Sequence, residues 1–476
     1  MKKLYTMIVI GILLIPLNAF VLGSNSRASL LTHFDPLENI SVTVTIKTIR
    51  FLNVAELHTS TKARDHRNPS FYMKVLINGV EFTSLIWSHM KYVYDPQWSA
   101  SLSVPDDEEF VNITLQLWSS STDGTNDVQY DLSPNPKNYD VHLVYSIRTG
   151  HWTGDDAIGD VSGYGRLCGC DDGKIWGLDK NAEVWFDITQ TDYDSDGIPY
   201  WMEVTEYGTD PLVNDQGKDF NSDGIPIEWD WKWGYDPMKK DGHEKLDPDN
   251  DSINNYEEFL TSQWFSDPFR KDIFVEMDIM GDGPNGEKTY FPENSKELIT
   301  TAFNKQNIVY HLDMGSMGGF ESIPFDAHIA GWDLNRIYQN YFLHGDNNNW
   351  RRGVFHYGLV TYNATPPGFA FRSNAFLIAS YGLEKKPKTW IVLDREIVYA
   401  SAYMHELGHT FNIWPIPGHE ESSVGPWQLD WWKNRPYKSC MNYAWVFEIV
   451  DYSDGLRRSP DLNDWNRIDY AAFEQQ

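Results

Sequence analysis

Strict alternation of apolar and polar residues marks the first part of the chain. Residues 42–47 alternate valine or isoleucine with threonine or lysine, and residues 111–117 alternate aliphatic residues with asparagine, threonine or glutamine. A period of two places successive side chains on opposite faces of a β-strand, so each segment predicts a strand with one buried face. Turn-rich stretches at 119–127 and 133–138 separate such strands. The pattern predicts an all-β sandwich over residues 38–188.

The C-terminal region, residues 271–476, alternates strand-like and helix-like segments. Strands are predicted at 273–279, 308–314, 353–362 and 375–380. Helices are predicted at 295–305, with Ser295 as the N-cap, and at 396–411. The alternation predicts an α/β domain of about 200 residues, which is large enough for one hydrophobic core.

Between these regions, residues 190–270 contain one acidic motif three times, beginning at Asp192, Asp219 and Asp247, that is, 27 and then 28 residues apart. Each copy has oxygen-bearing side chains at positions one, three and five of a tight loop and an acid at position twelve. Calcium takes six to eight oxygen ligands at about 2.3–2.6 Å, and such a loop brings its carboxylates to one point. The predicted calcium ligands are Asp192, Asp194, Asp196 and Glu203, then Asp219, Asn221, Asp223 and Asp230, then Asp247, Asp249, Asp251 and Glu258.

These loops resemble the calcium repeats of thrombospondin type 3 and dockerin-like segments. The third copy departs from the pattern, because Ser252 replaces the glycine found at position six of the other two. Pro199 and Pro226 stand where an EF-hand has a strand residue, so we expect EF-like ligation without a full EF-hand pair. The resemblance implies a structural role, and we expect bound Ca²⁺ to make residues 190–270 a semi-rigid strut between the two flanking domains.

The N-terminal sandwich is expected to be an accessory domain with a C2-like arrangement, either a binding module or a chaperone-like pro-region. Its acidic cluster at 106–109 indicates a site for calcium or lipid headgroups, or else a solvated loop. The net charge of −29 repels phosphate backbones, so no nucleic-acid partner is expected. With three cysteines in 476 residues, the stability of the chain does not depend on disulfides.

The N-terminus predicts an export signal over residues 1–23. Lys2 and Lys3 precede an apolar run at 4–17, and small residues follow at Val21 and Gly23. An uncleaved membrane anchor is the alternative, because the apolar stretch approaches the roughly 20 residues that span a bilayer. We expect a secreted protein with no stable membrane insertion after signal cleavage.

The predicted helix at 396–411 carries the sequence His405-Glu406-Leu407-Gly408-His409, an HExxH motif. Residues four apart project from the same face of a helix, so the two imidazoles can hold one Zn²⁺ ion at about 2.0–2.1 Å. Glu406 lies beside them and is placed to take a proton from the water that such an ion activates. The motif predicts a zinc-dependent hydrolase with Glu406 as general base.

Asn412 follows three residues after His409 and can end the helix, since asparagine tolerates a left-handed backbone. Downstream lies Ser439-Cys440-Met441-Asn442-Tyr443. This arrangement resembles the metzincin clan of zinc metallopeptidases. The resemblance implies that Met441 forms the apolar floor of a Met-turn and that Tyr443 helps to bind the metal or the oxyanion. It also implies an edge strand for an extended peptide substrate, which we expect at 375–380.

The third zinc ligand departs from the metzincin pattern, because Pro415 occupies the position of the usual His or Asp. His419 is the predicted replacement, and Glu420 or Asp430 are the alternatives. A Glu-type site with Glu448 is also open, although it does not explain the Met-turn. In addition, the segment 166–172 faintly resembles a cysteine-switch pro-segment, in which Cys168 or Cys170 would block the zinc. A surface turn or a minor metal site is the other interpretation of that segment.

Two functions of different classes follow. The first is an extracellular zinc endopeptidase that is stabilised by calcium and cleaves peptide or protein substrates. The second is a catalytically inactive calcium-binding adhesion or scaffold protein, which the replacement of the family ligand at Pro415 favours. A role for Glu406 in proton transfer favours the first.

Overall fold

The computed structural model describes residues 37–52, 57, 68–121, 126–156, 165–173, 180–386 and 393–472. The predicted signal segment, residues 1–23, lies outside them. In this part of the chain, no helix combines the length and the apolar character needed to cross a bilayer.

Two antiparallel sheets form the predicted N-terminal β-sandwich. The strands are β1 (Asn39–Phe51), β2 (Phe71–Ile77), β3 (Val80–Thr83), β4 (Tyr92–Pro105), β5 (Phe110–Ser119), β6 (Val128–Tyr130), β7 (Val141–Ser146), β8 (Trp152–Gly154), β9 (Gly165–Cys168) and β10 (Ala182–Gln190). One sheet has the order β4-β1-β10-β9, and the other has the order β3-β2-β5-β7-β8 with β6 beside β5. The alternating apolar residues of β1 and β5 meet in one buried core, as their period predicts.

The three acidic loops share one backbone conformation. Position four has a positive φ in every copy, at Ser195, Ser222 and Asn250. Position six is also left-handed, with φ of 94° at Gly197, 98° at Gly224 and 73° at Ser252. The third copy therefore keeps the turn although its serine lacks the freedom of glycine. Short helices α1 (Tyr200–Met202), α2 (Ile227–Lys232) and α3 (Asn255–Thr261) follow the loops, and a π-helical turn (Glu203–Tyr207) extends the first.

The C-terminal region is an α/β domain built on one mixed sheet. Its strands are β11 (Asp272–Met280), β12 (Val309–Asp313), β13 (Ser322–Ile323), β14 (Phe355–Thr361), β15 (Gly368–Arg372) and β16 (Ala375–Ala379). Its helices are α4 (Glu293–Asn304), α5 (Gly331–Ile337), α6 (Arg351–Val354), α7 (Ser380–Leu383), α8 (Arg395–Thr410) and α9 (Leu429–Asn434). The sheet order is β12-β11-β14-β16-β15, with β13 beside β11. Helix α8 packs on one face of this sheet, against β16 and β15.

Three details of the C-terminal prediction are wrong. The strand predicted at 375–380 is not an edge strand, because β16 lies between β14 and β15, and the antiparallel β15 forms the edge. Ser295 is not an N-cap: α4 starts after Pro292, and the buried Ser295 hydroxyl donates to the Glu396 carbonyl at 2.7 Å. The segment predicted as one strand at 353–362 begins inside α6.

The sandwich packs directly against the α/β domain. The Arg50 guanidinium meets Glu297 of α4 at 2.7 Å, and Arg166 donates to the Asn304 carbonyl at 2.9 Å. Cys168 and Cys170 belong to the same buried cluster as the face of α8 that packs on the sheet. The repeats thus do not hold the two domains apart, and the prediction that they form a strut between the domains is wrong.

Candidate metal centres

Helix α8 positions the HExxH motif at the centre of the α/β domain. Asp394 caps its N-terminus, where the side chain accepts from the Glu396 backbone N–H at 3.0 Å. The helix is buried along most of its length, and the two histidines stand one turn apart near its C-terminal end. Their ring centroids are 4.9 Å apart. The spacing of four residues thus places both imidazoles on one face, as predicted.

His419 completes a group of three imidazoles. Its ring centroid lies 5.1 Å from that of His405 and 4.9 Å from that of His409. One ring nitrogen from each of the three histidines lies within 4.8 Å of the others, and the Nε2 atoms of His405 and His419 are 3.2 Å apart. Among the described residues, neither Glu420, Asp430 nor Glu448 belongs to this group. Glu448 pairs instead with Arg435 at 3.1 Å.

The chain reaches His419 through a loop that starts at a left-handed residue. Asn412 has a φ of 53° and ends α8, as expected from the tolerance of asparagine for this conformation. Gly418, with a φ of 81°, turns the chain back toward the helix, and its carbonyl accepts from the Tyr443 N–H at 3.1 Å. A Cβ at Gly418 would lie 2.3 Å from Asn442 Oδ1, so this turn requires glycine.

A backbone carbonyl orients the first imidazole. His405 Nδ1 lies 2.8 Å from the Cys440 carbonyl oxygen, which accepts a hydrogen bond only if Nδ1 carries the proton. The Nε2 lone pair therefore faces the other two rings. Burial, together with His409 and His419, lowers the pKa of His405 well below its usual value. Burial and His419 lower the pKa of His409 to about 4. Burial also lowers the pKa of His419, so all three rings are neutral near pH 7.

The segment 439–443 underlies this group. Met441 is fully buried, and a Cβ at Gly408 of α8 would lie 2.4 Å from its Sδ. Methionine thus packs against the helix backbone between the two histidines. The Tyr443 ring lies 4.3 Å from the ring of His419 and 5.7 Å from that of His405. Met441 and Tyr443 thus both lie beside the imidazoles.

Glu406 lies between α8 and the edge strand β15. Burial raises the pKa of its carboxyl group to about 8. A Cβ on Gly368, the first residue of β15, would lie 2.4 Å from Glu406 Oε1. A larger residue at this point of the strand would displace the carboxylate from its present position. Sequence reasoning missed Gly368, because it is 38 residues away along the chain from its partner.

The acidic loops form two of the predicted clusters. In the first loop, a carboxylate oxygen from each of Asp192, Asp194 and Asp196 lies within 4.8 Å of the others. Glu203, at position twelve, is buried, and its burial and the charge of Asp196 raise its pKa to about 8. In the third loop, Asp247, Asp249 and Asp251 cluster in the same way.

The second loop differs, because a histidine from outside the loop contacts its carboxylates. His243 Nε2 is 2.8 Å from Asp230 Oδ1 and 3.2 Å from Asp223 Oδ2. Burial opposes protonation of this ring, but the carboxylates of Asp241, Asp230 and Asp223 outweigh it and raise the pKa of His243. The Asn221 amide points to Asp230 Oδ2 at 3.4 Å, and Asp219 accepts the backbone N–H of Gly224 at 2.9 Å. Sequence reasoning missed His243, which lies outside the twelve-residue loop.

Two weaker sequence expectations concern other sites. Cys168 and Cys170 are buried and interact with each other, and they also contact Asn304 and Asn181. A cysteine switch would instead bring a thiolate to the imidazoles. Among the described residues, the acids at 106–109 form no group close enough to share a cation, and Glu109 pairs with Arg148 at 3.4 Å.

No protein-family model and no curated protein matches the chain. The human GIVD cytosolic phospholipase A2 in complex with methyl gamma-linolenyl fluorophosphonate is similar at 10% identity over 32% of this chain and 17% of that chain, with a TM-score of 0.18. A structure of a C2 domain is 8% identical over 31% of this chain and 97% of that one, also with a TM-score of 0.18. A C2 domain of plant extended synaptotagmin 1 is 9% identical over 31% and 92%, with the same TM-score of 0.18. The chain thus spans under a fifth of that phospholipase, and likenesses this slight carry no argument about its function.

Proposed function

We propose that the chain is a secreted, calcium-stabilised zinc endopeptidase of the metzincin kind, with an accessory N-terminal sandwich of C2-like arrangement. The observation that carries this proposal is the convergence of three imidazole nitrogens within 4.8 Å of one another. The next residue after the first of these histidines is the buried Glu406. Two of the three come from one helix turn, and the third comes from a loop that returns to it.

The residues present fit a zinc ion. His405, His409 and His419 are neutral nitrogen donors, and a hydrogen bond to a backbone carbonyl fixes the tautomer of the first. Three protein ligands leave one position of a tetrahedral shell free for water or substrate. When bound there, zinc supplies Lewis acidity, which lowers the pKa of a water molecule to near 7 and polarises a carbonyl group.

Glu406 moves the proton in this proposal. Its carboxylate accepts a proton from the attacking water and then delivers it to the nitrogen of the leaving amine. Burial holds the pKa of Glu406 at about 8 without a metal, and a divalent cation nearby favours the ionised form that the base requires. Tyr443, whose ring lies against His419, is proposed to donate a hydrogen bond from its hydroxyl group to the oxyanion and to keep its proton.

The edge strand β15 is the proposed binding surface for an extended peptide. In the described part of the chain it pairs with β16 alone, so its other edge has unpaired backbone groups. The strand begins at Gly368, against the Glu406 carboxylate. A substrate that pairs with β15 therefore passes the proposed base, and backbone pairing requires no particular side chain.

Replacement of the base tests the proposal. Glu406→Gln is expected to keep its zinc and to lose peptide hydrolysis by at least about a hundredfold, because the amide cannot accept the proton. The measurement is cleavage of casein and of a quenched fluorescent peptide, with zinc content determined on the same samples. Glu396→Gln is the matched control, since Glu396 lies in the first turn of the same helix and accepts from Asn294 at 3.0 Å.

Full activity of Glu406→Gln would remove Glu406 from the mechanism. A wild-type chain that holds zinc but cleaves neither substrate would favour the second candidate, an inactive calcium-binding adhesion or scaffold protein.

A further inference from the structure

The third acidic loop meets the first residue of the α/β sheet. Asp251 of the loop, Glu258 of α3 and Asp272 of β11 each place a carboxylate oxygen within 4.8 Å of the others. Asp272 lies outside the repeats and was not among the calcium ligands predicted from the sequence. The group therefore joins the repeat region to the domain that carries the three imidazoles.

All three side chains are buried, with exposed fractions of 2% for Asp251, 0% for Glu258 and 2% for Asp272. Glu258 Oε2 accepts from the Ser266 hydroxyl, but Glu258 Oε1 is buried without a hydrogen-bond partner. A buried carboxylate oxygen that lacks a partner is unfavourable unless a cation or a proton satisfies it. This unpartnered oxygen is independent evidence for a ligand at the group.

The described hydrogen bonds to this group come from backbone N–H groups, one hydroxyl group and one imidazole. In the described part of the chain, the three carboxylates accept from backbone N–H groups, from Ser266 and from His311, and none pairs with lysine or arginine. Lys271 donates instead to the backbone carbonyls of Asp249 and Asn250, each at 2.5 Å. His311 Nε2 lies 2.5 Å from Asp272 Oδ1.

The first loop shows the same contact at its own end. The Asp215 N–H donates to Asp196 Oδ2 at 3.0 Å, and the Asp272 N–H donates to Asp251 Oδ2 at 2.6 Å. Asp215 follows position five of its loop by 19 residues, and Asp272 follows position five of its loop by 21. In both loops, the aspartate at position five thus accepts a hydrogen bond from the backbone where the next structural unit begins. For the third loop, that unit is the α/β domain.

We propose that Asp251, Glu258 and Asp272 hold one calcium ion together with the third loop, and that this ion fastens the α/β domain to the repeats. The proposal goes beyond peptide hydrolysis and stands whether or not the three-histidine centre is active. A carboxylate oxygen that accepts one hydrogen bond still has a second lone pair, which can bind the ion. Since β11 lies between β12 and β14 in the sheet, the ion fixes the entry of the chain into the α/β domain.

Calcium titration of the full-length chain tests the proposal. After treatment with a chelator, the protein is titrated with CaCl₂ by calorimetry, and its thermal unfolding is followed with and without calcium. Asp272→Asn is expected to weaken one calcium site by about tenfold or more, because affinity follows the number of charged ligands. The rise of the unfolding midpoint on addition of calcium is expected to shrink in the same variant.

Asp278→Asn is the matched control. Asp278 is a buried carboxylate on the same strand that accepts from Tyr357 at 2.7 Å, and it belongs to none of the acidic groups. Its calcium affinity is expected to stay within about twofold of the wild type. If Asp272→Asn and Asp278→Asn bind calcium with the same affinity and number of sites, the proposal is overturned.

Hydrogen exchange on the wild-type protein covers the case in which Asp272→Asn does not fold. Removal of calcium is expected to lower the protection of the third loop and of the amides at the start of β11 together. If only the loop loses protection, the ion is held by the loop alone and Asp272 is not a ligand.

Discussion

At the scale of single residues, Glu406 packs tightly against the neighbouring strand. Its carboxylate lies against the backbone of Gly368, where a Cβ would approach Oε1 to 2.4 Å. Real Cβ atoms do not come so close, so any larger residue displaces the glutamate or the strand. The absence of a side chain at Gly368 therefore leaves room for Glu406, the proposed base.

We predict that Gly368→Ala retains zinc but lowers kcat for peptide hydrolysis by about a hundredfold, since a displacement of about 1 Å is enough for that loss. Gly353→Ala is the control, because its Cβ would meet Glu257 at an ordinary 3.6 Å. Steady-state kinetics on both variants decide the matter. An unchanged kcat in Gly368→Ala would show that Glu406 moves aside without consequence.

The sequence predicts which residues lie together where their spacing along one helix or loop decides the geometry. His405 and His409 converge for that reason, as do the acids of the first and third loops. Gly368, His243 and Asp272 were missed because each meets its partner through the tertiary fold. The position of His419 followed from a family resemblance and the need for a third donor, since the length of a loop does not fix where it returns.

At the scale of elements, the end of α8 decides where the third imidazole lies. Asn412 is solvent-exposed and left-handed, with a φ of 53°, and Ile413 N–H still donates to the Gly408 carbonyl at 3.2 Å. The helix therefore ends by a turn of the backbone rather than by a contact of the Asn412 side chain. The loop that follows carries His419 back to the helix.

We predict that Asn412→Val lowers the free energy of unfolding by about 1–2 kcal/mol, because a β-branched residue is strained in the left-handed conformation. Asn412→Gly is expected to be nearly neutral, since glycine adopts that conformation freely. Denaturant unfolding of both variants is the measurement. Equal stability of the valine and glycine variants would contradict a backbone role for this position.

The elements themselves were largely predicted from the sequence. Period-two alternation located β1 and β5, and the run around HExxH located α8 to within a residue or two at each end. The order of strands was not predictable in this way, because a buried run such as 375–379 has no mark that distinguishes an inner strand from an edge. The N-cap of α4 was misplaced because Ser295 bonds to a residue of another helix.

At the scale of the whole molecule, the β-sandwich and the α/β domain share buried polar contacts. Arg166 and Glu183 are both inaccessible and pair at 2.5 Å, and Glu183 also meets Arg50 at 3.4 Å. Arg166 then reaches the end of α4 through the Asn304 carbonyl. Loss of one partner of such a buried ion pair strongly destabilises the folded protein, because the other charge is left buried without a partner. The sandwich thus supports the domain that carries the three imidazoles.

The metal content of the purified full-length chain tests the central claim, that His405, His409 and His419 hold one transition-metal ion. We predict about one zinc per wild-type chain, because the three imidazoles together would hold one ion. His419→Ala is expected to weaken zinc binding by more than about a hundredfold. Loss of a residue that only hydrogen-bonds to a ligand weakens metal binding by about 10–100-fold, and loss of the ligand itself costs more. His344→Ala, a change at an exposed histidine 3.8 Å from Glu321, is expected to keep the wild-type zinc content. A wild-type chain without zinc, or a His419→Ala variant that binds it as tightly as the wild type, would contradict the account.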